Sequence, residues 1–371
     1  MRRLYRRFDC SGEEGAHDQY SNCGHPLDTH WKERAAQIRQ EHPRWGGEVI
    51  RLQLSHESPG APLPSARSIQ RWMKELDLHA APPGRRSRGP RPARLPRAES
   101  PHLAWQVDAA EEMKLKDGSK ACWLRFTDEC SGAFLMTQVF PHARWTHVDC
   151  PTIRESIRTA FSRWGLPERM QVDNGYPWGS IGQFPPALSL WLIGLGIDMH
   201  WSWPACPQEN GVVERSQGTG KRWAEPEQCC TAEELQQHID EMDRLQREEY
   251  PHCRSTRWQV YPQLVHSGRR YTRRSERRLW EHERVLDSLA QRVAVHQVDR
   301  YGGVSLYHYS HQMGRQYAGQ RVCITLDPTG PTWIFSSSEG VQWRMIPAKE
   351  LAADRILNLN VGCRKGDKKL R

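Results

Sequence analysis

The chain has little that could hold it in a membrane or send it outside a cell. Its longest mostly apolar stretch, Ala187 to Ile197, falls far short of the ~20 residues a bilayer-spanning helix needs. Its charged start, MRRLYRRFDC, has no apolar region behind it, so no secretory signal is expected. The eleven cysteines are odd in number and include no CxxC pair, which argues against a disulfide framework and suits a reducing cytoplasm. Cys10, His17, Cys23 and His25 match no tight zinc-ligand spacing, so a terminal tail is expected there instead of a metal site. Apolar residues are also scarce, at 37%, with a mean hydropathy of -0.80. Sixteen Trp, ten Tyr and seven Phe nevertheless supply large core-forming side chains, which excludes wholesale disorder. At 371 residues the chain suffices for two or three domains of ~100–200 residues each.

What the chain does have is positive charge, and it is clustered. Lys and Arg total 53 against 44 acids, a net charge of +9. Residues 81–100, APPGRRSRGPRPARLPRAES, hold six Arg, among them Arg85, Arg86 and Arg88, with five Pro and one acid. That density of proline forbids helix and strand, so an extended basic linker is expected. A second cluster, GRRYTRRSERR, places Arg269, Arg270, Arg273, Arg274, Arg277 and Arg278 within ten residues. Charge runs are usually solvated connectors, but two in an already basic chain favour a polyanionic partner, nucleic acid above all.

These clusters divide the sequence. Residues 1–28 show little periodicity and stay unassigned. Residues 29–80 read as three helices, near 31–40, 48–54 and from Ser65 onward, where Ser65 is a good N-cap. In the third, Ile69, Trp72, Met73 and Leu76 follow the i, i+3, i+4, i+7 rule and predict one buried face. Arg67, Gln70, Arg71 and Lys74 occupy the other, the layout of a helix-turn-helix recognition helix. An ordinary bundle with a wet basic side fits equally well, and the basic linker that follows tips the reading toward DNA.

Residues 101–262 alternate strands and helices. LAWQVDA, ACWLRFTDE and AFLMTQVF predict three consecutive antiparallel strands, because the gaps between them are too short for crossover helices. A helix over 153–164, a strand RMQVD, a buried helix, a strand IDMHW and two helices follow, the last opened by a capping box at Thr231 and Glu234. In this reading Asp108 ends the first strand, Asp173 ends the fourth and Glu214 opens a helix. Carboxylates at such stations can converge on hard divalent cations, and two ions ~3.5–4 Å apart can support an in-line phosphoryl displacement. Asp128 also ends a strand, but there a turn-capping role is expected. After an Arg-rich connector at 263–284, residues 285–362 predict short strands between Gly and Pro turns, a small β-barrel, before a basic tail at 363–371.

The order WQVD, QVDNG, PQENGVVER over about 100–262 resembles the integrase catalytic core shared by retroviral integrases and integrase-type DDE transposases of insertion sequences. The flanks agree with that likeness. It implies a multidomain fold with an N-terminal all-α helix-turn-helix, a central α/β ribonuclease-H-like mixed sheet and a C-terminal all-β barrel. It implies Asp108, Asp173 and Glu214 as an acidic triad holding two Mg2+ (or Mn2+) ions. Asn210 matches the loop before the glutamate, and Lys221, two turns past Glu214, matches a lysine that contacts the DNA end. Gly218 stands where the family often has another cation, and 40 residues separate Asp173 from Glu214, slightly more than is usual. The implied activity is cleavage of element ends and joining of the 3'-hydroxyl to target DNA. The implied partners are double-stranded DNA (terminal repeats and target), further copies of this chain and an accessory transposition protein, with no membrane. A catalytically silent DNA-binding descendant and a ribonuclease-H-like nuclease remain as alternatives.

Overall fold

The structure, a computed structural model, describes residues 8–9, 12, 29–79, 97–203 and 209–362. Arg85, Arg86 and Arg88 of the basic linker, Pro207 and Gln208 of the glutamate loop, the tail 363–371 and Cys10, His17, Cys23 and His25 lie outside those residues. The chain divides into two compact units, residues 1–87 and 88–371. No helix among the described residues is long and apolar enough to cross a membrane.

In the first unit, α1 (Thr29–Glu41), α2 (Gly47–Glu57) and α3 (Ala66–Glu75) enclose a small core of Ile38, Ile50, Leu54, Ile69, Trp72 and Met73. Ser65 caps α3 by accepting from the Ser68 amide at 3.1 Å. Gly47 lets α2 and α3 approach closely, since a Cβ there would meet the Ala66 carbonyl at 2.7 Å. Leu76, expected in the core, is 42% exposed. It is the C-cap of α3, where the backbone leaves the helical path that would have carried it onto the buried face.

The second unit is built on a five-stranded mixed sheet of order β3-β2-β1-β4-β5. Its strands are β1 (Ala104–Lys114), β2 (Lys120–Asp128), β3 (Phe134–Phe140), β4 (Arg169–Val172) and β5 (Asp198–Trp201). The first three are antiparallel neighbours; β4 runs parallel to β1, and β5 parallel to β4. This sheet fits the ribonuclease-H-like core expected from the sequence. Helices α4 (Cys150–Trp164), α5 (Ala187–Gly194), α6 (Gly211–Ala224) and α7 (Ala232–Glu248) complete the layers.

Alternation assigns the two faces. Trp105, Val107, Cys122, Leu124 and Phe126 point to the side packed by α4 and α5. Trp123, Ala121 and Ala110 point to the side packed by α7 through Leu235 and Ile239. Because both faces are covered, β2 is buried almost throughout. Its one buried cation, Arg125, is fully satisfied on the α6–α7 side. It pairs with Asp243 at 3.0 Å and donates to Thr137 Oγ1 at 2.9 Å and to the Ser216 carbonyl at 2.6 Å.

Three expectations change. Asp108 does not end β1, which continues to Lys114; the polar pair Glu111-Glu112 falls at an irregularity between Ala110 and Met113, after which pairing with β2 resumes. Thr231 accepts from the Glu234 amide at 3.2 Å, but Glu234 reaches back to the Cys230 amide instead of that of Thr231, so the box is displaced by one residue. The Arg-rich connector is partly structural. Arg269 donates to the carbonyls of Pro167, Leu195 and Gly196, and Arg273 pairs with Glu155 at 2.7 Å.

After the two-residue strands β6 (Pro251–His252) and β7 (Ser255–Thr256) come helices α8 (Arg257–Val260), α9 (Glu276–Leu279) and α10 (His282–Ala290). The C-terminal strands are β8 (Ala294–Gln297), β9 (Gly303–Leu306), β10 (Tyr309–Gln312), β11 (Arg321–Asp327), β12 (Thr332–Ser336) and β13 (Gln342–Pro347). They form a four-stranded sheet, β13-β12-β11-β8, and a separate hairpin, β9-β10, so the described hydrogen bonding closes no barrel. This sheet shares its core with the first one. Phe184 lies 4.8 Å from Trp333 between ring centres, and Tyr307 donates to the Pro185 carbonyl at 2.8 Å.

Candidate active site

The parallel ladder between β1 and β4 pairs Gln106 with Gln171. Extending that register by two residues sets Asp108 beside Asp173, just past the last paired residue of β4. Gln106, Asp108 and Ala110 share one face of β1, and α6 packs across it. Glu214 lies in the first turn of α6. Gln217, three residues on, donates to the Asp108 backbone carbonyl at 3.0 Å and to its carboxylate at 3.4 Å. The Trp123 indole in turn donates to Gln217.

Asp108, Asp173, Glu214, Gln217 and Lys221 line one open cavity of about 570 Å³, together with Glu111, Thr146 and Asn174. Burial pushes the Asp108 carboxyl above its usual range; the Gln217 hydrogen bond works against that rise and the Glu214 charge adds to it. Asp173 keeps exposed surface at the cavity wall, yet the surrounding protein and then the negative charge of Asp108 push its carboxyl up to about 6.

The Asp-Asn-Gly turn is held from several sides. Asn174 donates to the Ser202 carbonyl and accepts from the Ile181 amide at 3.0 Å. Gly175, at φ +132, adopts a backbone conformation side-chain-bearing residues rarely take, and exchanges two hydrogen bonds with Gly179. Ser202, at the end of β5, donates its amide to Val172, so the backbone around Asp173 is fixed on both flanks.

The donor set suits a hard divalent cation: three carboxylates around one cavity, two of them raised by burial and mutual repulsion, with one cation, Lys221, further along the wall. Among the described residues, no three His, Cys, Asp or Glu side chains are grouped tightly enough to hold an ion as they stand. The chemistry of the donors therefore fits a metal, while the side-chain positions are those of mutually repelling carboxylates.

The other expected contacts separate into two groups. Arg67, Gln70, Arg71 and Lys74 line a concave surface of the first unit with Ser65, Ser68 and His79. Arg71 is partly engaged, 3.7 Å from Glu75. Asn210 is buried and accepts from the Ser202 hydroxyl at 2.9 Å, so it fixes the start of α6 instead of presenting a side chain to DNA. Asp128 accepts from the Ser131 amide at 2.8 Å and the His102 amide at 2.7 Å, the turn-capping role expected of it. Gly218 leaves open space, since a Cβ there would touch nothing within 4 Å. The residues missed by the sequence reading are Gln217 and Gln106, both polar positions on otherwise packed elements, and only the helix period counted back from Lys221 hinted at Gln217.

No protein-family model matches the chain. Solved structures similar to it include the catalytic core domain of BIV integrase, at 18% identity over 43% of this chain and 94% of that one, with a TM-score of 0.33. The HTLV-2 integrase catalytic core domain in complex with magnesium, in a dimeric form, is 21% identical over 43% of this chain and 96% of that one, with a TM-score of 0.31. The simian T-cell lymphotropic virus intasome in complex with the PP2A regulatory subunit B56 gamma is 16% identical over 85% and 96%, with a TM-score of 0.36. The likeness is weak at these scores, and the site is read from its own residues.

Proposed function

We propose that the chain is a divalent-metal-dependent polynucleotidyl transferase of the integrase-type DDE transposase kind, which cleaves the ends of a DNA element and joins the freed 3'-hydroxyls to target DNA. The observation that carries this reading is the convergence of Asp108, Asp173 and Glu214 on one cavity from β1, the end of β4 and the first turn of α6. Asp108 and Glu214 would hold one Mg2+ or Mn2+ ion, and Asp108 with Asp173 the other. When bound, the ions would activate the attacking oxygen and stabilise the charge that builds on the phosphoryl group. Gln217 fixes the Asp108 carboxylate. Lys221 supplies positive charge for a DNA phosphate at the cavity wall. Arg67, Gln70, Arg71 and Lys74 on α3 would read the terminal repeats, with Arg85, Arg86 and Arg88 following the backbone. Work on two element ends calls for several copies of the chain on DNA, with an accessory transposition protein as a further expected partner.

The test is an end-cleavage and joining assay with purified full chain, Mg2+ or Mn2+, labelled element ends and a supercoiled target. Joined products are expected. Cleavage without joining would favour a ribonuclease-H-like nuclease, and end binding without cleavage a silent DNA-binding protein.

A further inference from the structure

The helix that carries Glu214 starts without a cap of its own. Asn210 occupies the N-cap position, but its side chain makes no capping hydrogen bond and is spent on Ser202. The first amides of a helix have no partner within the helix, and leaving them orphaned in a buried place is unfavourable. Here a strand supplies the partner. Gln106 Oε1, on β1, accepts from the Val212 amide at 3.2 Å and the Val213 amide at 3.1 Å. Its Nε2 donates to the Glu209 carbonyl at 2.9 Å, in the residue leading into the helix, and to Glu129 Oε1 at 3.1 Å.

Each polar atom of the Gln106 amide is used twice, and the side chain is 1% exposed. Turning the amide over would set its NH2 against two amide donors and its oxygen against a carbonyl and a carboxylate, so one orientation is fixed. Gln106 also lies two residues before Asp108, on the same face of the strand. One side chain thus ties the strand of Asp108 to the start of the helix of Glu214, across 106 residues of sequence. Gln217 makes the second tie, one turn deeper.

We infer that Gln106 is a positioning residue: a buried strut that caps α6 from β1 and so sets where Glu214 stands relative to Asp108. Its effect on metal binding rests on the proposed function; the strut itself does not. A glutamine buried only to fill the core would matter equally to every neighbour, whereas a strut matters at the helix start.

The experiment compares Gln106→Met with the unaltered full chain, by site-resolved amide exchange without metal and by calorimetric titration with Mn2+. In Gln106→Met, which keeps the length and removes the hydrogen bonds, exchange at Val212 and Val213 should quicken at least tenfold while β2 and β3 stay protected. Mn2+ binding should weaken by about tenfold, the scale seen when groups that orient metal ligands are removed. In the unaltered chain, where Gln106 accepts from both amides, Val212 and Val213 should be protected. Unchanged exchange at Val212 and Val213 in Gln106→Met would overturn the strut, as would acceleration spread evenly over the sheet. Should that variant fail to fold, exchange at Val212 and Val213 in the unaltered chain as fast as at unprotected amides would overturn it equally. If the unaltered chain binds no Mn2+ while the local exchange change is present, the strut stands and the metal-dependent function falls.

Discussion

At the scale of single residues, the site is marked by carboxylates held under electrostatic strain. Asp173 has an ordinary carboxyl pKa of 3.8 and about 6 in the folded chain. The folded state therefore binds a proton there more readily than the unfolded state, and the ionised group lowers stability as pH rises from about 4 through 6. Removing the charge should relieve this. Asp173→Asn is expected to raise the melting temperature of the metal-free chain at pH 7.5 and leave it unchanged near pH 3.5; thermal melts in chelator check this. The same variant should lose cleavage and joining while still binding DNA, and Mg2+ should stabilise it less than the unaltered chain. Asp173 could be found in the sequence because an Asp-Asn-Gly turn after a short apolar strand is a local pattern. Gln106 and Gln217 could not, because a glutamine inside an element carries no signal until the residue it meets, about a hundred positions away, is known.

At the scale of elements, the hydrophobic period pointed to the helices of the first unit and to the strands and longer helices of the first sheet, but missed α9, α10 and β13 and failed where polar residues stay in regular structure. The second half of β1 was hidden by Glu111-Glu112. The role of Arg125 was hidden for the same reason: nothing local says that a strand cation will be met by Asp243 from α7. Asp243→Ala should lower unfolding free energy by about 3–5 kcal/mol, the usual consequence of stranding a buried charge, read from denaturant melts. Gly220 on α6 makes room for that guanidinium, which lies 2.4 Å from where a Cβ would stand. Gly220→Ala should therefore destabilise, although alanine normally favours a helix interior by about 1 kcal/mol. On α3, Arg67→Ala or Arg71→Ala should reduce discrimination between end sequences more than affinity for arbitrary DNA. An equal loss on all sequences in a binding competition would contradict that role.

At the scale of the whole molecule, composition marked a basic chain and led to the expectation of a nucleic-acid partner, and motif order pointed to Asp108, Asp173 and Glu214, which line one cavity. The sequence suggested separable modules joined by an Arg-rich connector at 263–284. In the folded chain that stretch buries Tyr271, Glu276 and Trp280 against α4 and α5, and one hydrophobic core runs from Trp105 to Val361. Connectors and packed segments share the same charge-rich composition, so only their tertiary contacts tell them apart. A fragment ending at residue 284 should accordingly lose cooperative unfolding, because it removes Trp333, Phe335 and Leu351 from that core; calorimetry on the fragment and on residues 88–371 measures this. The central claim is that three carboxylates on one cavity perform phosphoryl transfer on DNA. Its most direct test is strand transfer of labelled element ends into a plasmid by the unaltered chain and by Glu214→Gln. Joined products from the first and none from the second, with end binding equal in both, are predicted; joining that persists in Glu214→Gln would contradict the account.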